Sequence, residues 1–209
     1  MAGSSKEWAE SARKVEDLGY SSLTMPDHFN EQLAPVPALM AVAAATSTLR
    51  IGTLVFDNDY KHPLVLAKEC ATLDLLSDGR LELGLGAGWM RTDYEQSGIR
   101  YDPPKVRVDR FEEALHVLKG LFADGAFSHA GEHYTITEHD GQPKPLQRPH
   151  PPQAGRRRDA HLGCQRDIGH AAIGLQQGED LPVDPVELWP AHGNPSVRFR
   201  LATPNSSGE

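Results

Sequence analysis

The 209-residue chain reads as an α/β fold built from repeated strand–helix units, and three features of its sequence point there. Strand-length apolar segments alternate with amphipathic helical ones, a pattern that implies parallel pairing through right-handed crossovers. Each predicted strand runs into a polar or glycine-bearing loop, the place where α/β enzymes bind ligands. The most distinctive loop follows Leu81, where Gly84, Gly86 and Gly88 alternate after a Ser77-Asp78-Gly79-Arg80 turn signal.

Taken in order, Ser4-x-x-Glu7 forms a capping box for a helix running to about Leu18, with Trp8, Ala12, Val15 and Leu18 near one face and Gly19 as its stop. A strand is predicted over Ser22 to Met25, and Pro26-Asp27-His28-Phe29 begins a loop. The alanine-rich segment from Pro37 to about Thr46 predicts the second helix, and Leu49 to Phe56 the next strand. Pro63 suits a first helical position, with Leu66, Cys70 and Leu73 as the buried stripe behind it. The Leu81 strand completes a third unit. Phe111, Ala114, Leu115, Leu118 and Phe122 mark a further helix, with Glu112 and Glu113 placed in its first turns. Phe127 to Ile136, broken at Ala130-Gly131, predicts a small hairpin, and Gly141 to Pro152 is proline-rich and extended.

Composition narrows the function classes. A net charge of -8 and a pI near 5.7 argue against nucleic acid or an anionic membrane as partner, and favour small ligands. The apolar run around Ala38 to Ala45 is too short to span a bilayer, and no basic segment followed by an apolar one opens the chain, so a cytoplasmic location is expected. Cys70 and Cys164 lack metal-ligand or C-x-x-C spacing. His129, His133 and His139 lack paired helical spacing, so no metal is expected.

The glycine loop is not a dinucleotide fingerprint. Its spacing is Gly-x-Gly-x-Gly followed by Trp89, and no second strand ending in an acidic residue follows about twenty residues later. Taken alone, such glycines also fit a strand that turns tightly. By itself the Asp27-His28 pair reads as a loop-capping interaction, Val55 as strand core, and Trp89 as core or rim packing.

Together, Gly-Tyr-x-x-Leu-x-Met-Pro-Asp-His-Phe29, Leu-Arg-Ile-Gly-Thr-Leu-Val55, Leu-Ser-Asp-Gly-Arg-Leu-Glu-Leu-Gly-Leu-Gly-Ala-Gly-Trp89 and Gly-Glu-His-Tyr134 with Pro-Lys-Pro145 resemble the luciferase-like monooxygenases. Within them the match is to the actinobacterial type of flavin- or coenzyme F420-dependent oxidoreductase, over about residues 6 to 152. The resemblance implies an eight-stranded (β/α) TIM barrel with its cofactor at the C-terminal ends of the strands. It also implies roles. His28 would lie near the reactive ring as general acid/base, which suits a side chain whose charge changes near neutral pH. Asp27, Leu54, Val55, Ala87, Gly88, Trp89 and Tyr94 would contact the cofactor, with a non-prolyl cis peptide between Leu54 and Val55. Arg91 would meet a substrate anion. Some relatives carry an acidic catalytic residue where Trp89 stands, so oxidation of a sugar phosphate is not expected.

Two departures make the predicted barrel partial. Only five residues precede Lys6, so the first strand is missing, and the family pattern breaks just after Pro151-Pro152. The 57 residues that follow contain no Lys, Tyr or Met. A displaced reading frame accounts for them: one choice of codons for Arg157 to Gln165, shifted by a nucleotide, reads Gly-Ala-Met-Leu-Thr-Leu-Ala-Ala. A divergent or disordered tail is the alternative. The predicted division is therefore a family portion over 1–152 and a non-family tail over 153–209, with the C-terminal half of the barrel lacking. Open parallel edges would make folding marginal or favour association.

The resulting expectation is hydride transfer between coenzyme F420 and a small organic substrate, impaired in a truncated chain, with a homodimer in the intact family member. An FMN-dependent monooxygenase is the alternative cofactor reading, and a non-catalytic interrupted gene product is the alternative of another class.

Overall fold

The computed structural model describes residues 2–146, 158–161 and 200–202. Helix α1 (Ser5–Asp17) begins at the predicted cap: Ser4 Oγ accepts from the Glu7 amide at 3.2 Å, while the Glu7 carboxylate reaches back to the Gly3 amide at 2.8 Å. Gly19, at φ +80°, lets the chain leave the helix and enter β1 (Tyr20–Met25). Next come α2 (Pro35–Ala45), β2 (Arg50–Thr53) and β3 (Phe56–Asp57). A 3-10 turn over Asn58–Tyr60 leads to α3 (Pro63–Leu76), β4 (Leu81–Glu82) and β5 (Gly84–Gly86). The predicted Leu49 to Phe56 strand is thus split, and the cis Leu54-Val55 peptide occupies the break.

After β5 the chain forms a short helix, α4 (Arg91–Ser97), which periodicity did not reveal, and then α5 (Pro104–Phe122). Because α5 starts at Pro104, Glu113 falls in its third turn. There it accepts from the His133 and Tyr134 amides at 3.0 and 2.8 Å and contacts His129 Nε2 at 2.9 Å, tying down the antiparallel hairpin of β6 (Phe127–Ala130) and β7 (Thr135–His139).

All other pairings are parallel, in the order β4-β2-β1-β8 and β3-β5-β9, where β8 is Arg158–His161 and β9 is Arg200–Ala202. The result is an arc of consecutive βα units, a partial TIM barrel. β8 lies along the edge where a strand preceding α1 would pair in a complete barrel, and β9 along the edge open to a strand following β5. The rest of the predicted non-family tail lies outside the described residues.

Register places Leu23 beside Ile51, Ile51 beside Leu81, and Phe56 beside Leu85, all five strands contributing to one core with Leu39, Val42, Leu66 and Leu118. Polar groups close the strand-entry side. Glu16 at the end of α1 accepts from the Ser47, Thr48 and Leu49 amides, and Arg80 donates to the Ala43 and Leu49 carbonyls. Cys70 is a buried free thiol, which burial pushes well above the ordinary range, as suits a core position. Among the described residues no helix is long and apolar enough to cross a membrane.

Candidate active site

Most candidate residues sit just beyond the C-terminal end of a parallel strand, Asp27 and His28 after β1, Leu54 and Val55 after β2, and Ala87 to Trp89 after β5, while Arg91 and Tyr94 follow in α4. The fold brings these loops together because neighbouring strands run in one direction and end at one level.

His28 is held on one side by Asp93 of α4, whose Oδ2 lies 2.7 Å from Nδ1. On the other side it meets Trp89, edge to face, with ring centroids 5.7 Å apart. The Tyr60 hydroxyl donates to the same Asp93 oxygen at 2.9 Å, and Tyr60 stacks on Phe29 at 4.4 Å. Asp93 is 3% exposed, so its carboxylate faces its two partners rather than water. An ionised carboxylate only accepts, which puts a proton on Nδ1 and leaves Nε2 as the open position of the ring.

Behind this layer lies a second acidic group. Asp27 Oδ2 accepts from the Asp57 amide at 3.3 Å, joining the end of β1 to the end of β3. The Tyr94 hydroxyl lies 3.0 Å from both Asp57 Oδ2 and Asp59 Oδ2, and Arg110 Nε donates to Asp59 Oδ1 at 2.8 Å. One phenolic proton cannot serve both carboxylates. Burial pushes the Asp57 carboxyl up to about 6, helped by the neighbouring charge of Asp59, so a protonated Asp57 can supply the second proton. Burial also raises Asp27, and it raises the Tyr60 and Tyr94 hydroxyls with help from the Asp57 charge.

The glycines are set by close approach. Gly88 has φ +76°, and a Cβ there would run into the Tyr94 hydroxyl and lie 2.7 Å from Asp57 Oδ2. At Gly86 a Cβ would come 2.8 Å from Val55 Cγ2. The bulge after β2 therefore packs its valine directly over β5, turning Leu54, which is 38% exposed, outward.

The profile of the luciferase-like monooxygenases matches residues 2–176, most of the chain and some way beyond Pro152. This chain belongs to the luciferase-like monooxygenase family. It is similar to the FMNH2-dependent dimethylsulfone monooxygenase of Pseudomonas putida, 33% identical over 53% of this chain and 30% of that one. Monooxygenase RslO1 from Streptomyces bottropensis is 28% identical and superposes with a TM-score of 0.60, over 71% of this chain and 47% of that one. An F420-dependent secondary alcohol dehydrogenase, solved with an F420-acetone adduct, shares the fold at 24% identity and a TM-score of 0.62, over 68% and 45% of the two chains. This luciferase-like chain thus spans less than half the length of each.

A flat tricyclic ring needs an apolar, side-chain-poor bed with a few polar groups at its edge. The strand ends present that combination: exposed Phe29, Leu54 and Trp89, glycines at 84, 86 and 88, and the His28 imidazole. The residues present fit such a group.

Tyr94 requires a correction. Predicted as a ring contact, it is 1% exposed and its hydroxyl lies between the Asp57 and Asp59 carboxyls, 3.0 Å from each, so it supports the glycine loop from behind. Arg91 carries its charge away on the surface, paired with Glu95 at 2.8 Å. Sequence reasoning missed Asp93, Tyr60 and Arg107. Asp93 lies inside the motif stretch Gly88-Trp-Met-Arg-Thr-Asp93-Tyr94, but α4 is too short to announce a buried face. Among the described residues no cluster of three or more His, Cys, Asp or Glu could hold a metal ion.

Proposed function

We infer that the chain carries the His28 half of a coenzyme F420-dependent oxidoreductase that moves hydride to or from a carbon atom of a small organic substrate. The supporting observation is the His28–Asp93 pair, a buried carboxylate fixing a half-buried imidazole at the mouth of the strand ends. With Nδ1 committed to Asp93, Nε2 takes a proton from a substrate hydroxyl as the carbon is oxidised, or returns one to a carbonyl oxygen in reverse. Trp89 makes a T-shaped contact with the imidazole and would wall the substrate side. Coenzyme F420, when bound, supplies a carbon that exchanges hydride readily and reacts poorly with oxygen. Asp27, Leu54, Ala87 and Gly88 would hold it, and His28 would stand beside its reactive edge.

Reduced FMN is the second reading, favoured by the 33% identity to an FMNH2-dependent monooxygenase. The same residues would then serve monooxygenation of a small organic molecule. Fluorescence titration of the chain with coenzyme F420 and with FMN separates the readings. Saturable binding of coenzyme F420 at micromolar levels supports the first, binding of FMN alone the second, and binding of neither shows a chain without catalytic capacity. Unchanged turnover in His28→Ala would remove His28 from the mechanism.

A further inference from the structure

We propose that Arg107 and Tyr101 are positioning residues that fix the backbone of the Ala87–Trp89 loop by holding its carbonyls; the use of that loop by a cofactor rests on the reading above. Arg107 lies in the first turn of α5, is 6% exposed and has no carboxylate partner among the described residues, an unusual position for a cation. Its guanidinium is spent on neutral acceptors instead. Nη1 donates to the Ala87 carbonyl at 3.2 Å and also to the Gly88 carbonyl, and Nε donates to the Asp102 carbonyl at 3.0 Å. Nη2 donates to the Tyr101 hydroxyl at 3.2 Å, and the guanidinium lies 4.4 Å over the Tyr101 ring. The Tyr101 hydroxyl continues the chain by donating to the Trp89 carbonyl at 3.4 Å.

Three successive carbonyls of the loop are therefore turned toward one clamp. In a trans peptide the C=O and the following N–H point in opposite directions. Drawing in the carbonyls of 87, 88 and 89 turns the amides of Gly88, Trp89 and Met90 away from the clamp. Regular extended backbone alternates its carbonyls. A residue in the left-handed region breaks that alternation, and Gly88 supplies one at φ +76°. Arg107 suits this task better than lysine, because a planar fork can meet several acceptors in fixed directions. The same clamp sets the backbone from which the Trp89 ring reaches His28.

The test is the backbone 15N order parameter of Gly88, Trp89 and Met90 in the wild type, in Arg107→Lys and in Tyr101→Phe, with Ile51 and Leu85 as strand controls. Rigid values near about 0.85 in the wild type, falling below about 0.6 at the loop alone in the variants, are expected. Tyr101→Phe keeps the ring over the guanidinium but loses the hydroxyl, so it answers at the Met90 amide even if Arg107→Lys fails to fold. A loop that stays rigid in Tyr101→Phe and in any folded Arg107→Lys, or one already mobile in the wild type, overturns the proposal. Titration with FMN and coenzyme F420 is run alongside, and about tenfold weaker binding is expected in Arg107→Lys. If the wild type binds neither, the functional reading fails while the order parameters still decide the clamp.

Discussion

His28 Nδ1 and Asp93 Oδ2 lie 2.7 Å apart although 65 residues separate them in the chain. One comes from the loop after β1, the other from a seven-residue helix after β5, and the carboxylate is almost wholly buried. Such a pair fixes the direction of the ring and supports positive charge on it when the other nitrogen takes a proton. The Asp93→Asn variant should therefore lower kcat about a hundredfold with KM changed only a few-fold, since substrate contacts stay in place. Steady-state kinetics with whichever cofactor binds checks this, and an unaltered kcat would count against the pair.

Asp57 gives stability a pH signature. Its folded carboxyl titrates near 6, above the ordinary carboxylate range, so the neutral form is the one folding favours. Its contribution is fully present below about pH 4 and fades as pH rises through about 6, by an amount on the order of 3 kcal/mol. Asp57→Asn is always neutral. Urea denaturation at several pH values should show that variant gaining on the wild type from about pH 4 to about pH 7. A constant difference would mean that Asp57 is charged throughout.

Glycine substitutions separate backbone strain from collision. Gly19 and Gly88 both have positive φ, but a Cβ at Gly19 meets nothing within 4 Å, whereas one at Gly88 meets Tyr94 and Asp57. Gly19→Ala should lower stability by about 1 kcal/mol, the strain alone, and Gly88→Ala by about 2–4 kcal/mol. Equal shifts in the two denaturation midpoints would show that the loop around Gly88 yields freely.

Glu113 should behave oppositely to Asp57. Although burial opposes its charge, the His129 side chain and the His133 and Tyr134 amides hold its carboxyl below the ordinary range. Its contribution is present above about pH 4.3 and is lost as pH falls below that. In Glu113→Gln the hairpin amides of His133 and Tyr134 should exchange about tenfold faster at neutral pH, a gap that closes toward pH 3.

Much of the arc was legible because it is written locally. The Ser4 cap, the Gly19 stop, Pro63 at a helix start and the apolar stripe of α3 each depend on neighbours within a few residues. Tyr94 was misplaced because an aromatic beside a glycine loop looks the same in sequence whether it faces ligand or core. Its partners, Asp57 and Asp59, lie 37 and 35 residues away. Arg107 was overlooked because its neutral carbonyl partners leave no complementary charge pattern for a reader to find.

The sequence by itself determined the βα repeat, the glycine loop and the strand-end position of His28, because periodicity, caps and turn residues act over single turns and strands. Only the tertiary structure decided that Asp93 backs His28, that Tyr94 faces inward and that Arg107 holds the loop. Those contacts arise where parallel strands bring distant loops to one level, and burial then selects among equally polar residues the ones whose hydrogen bonds can be met.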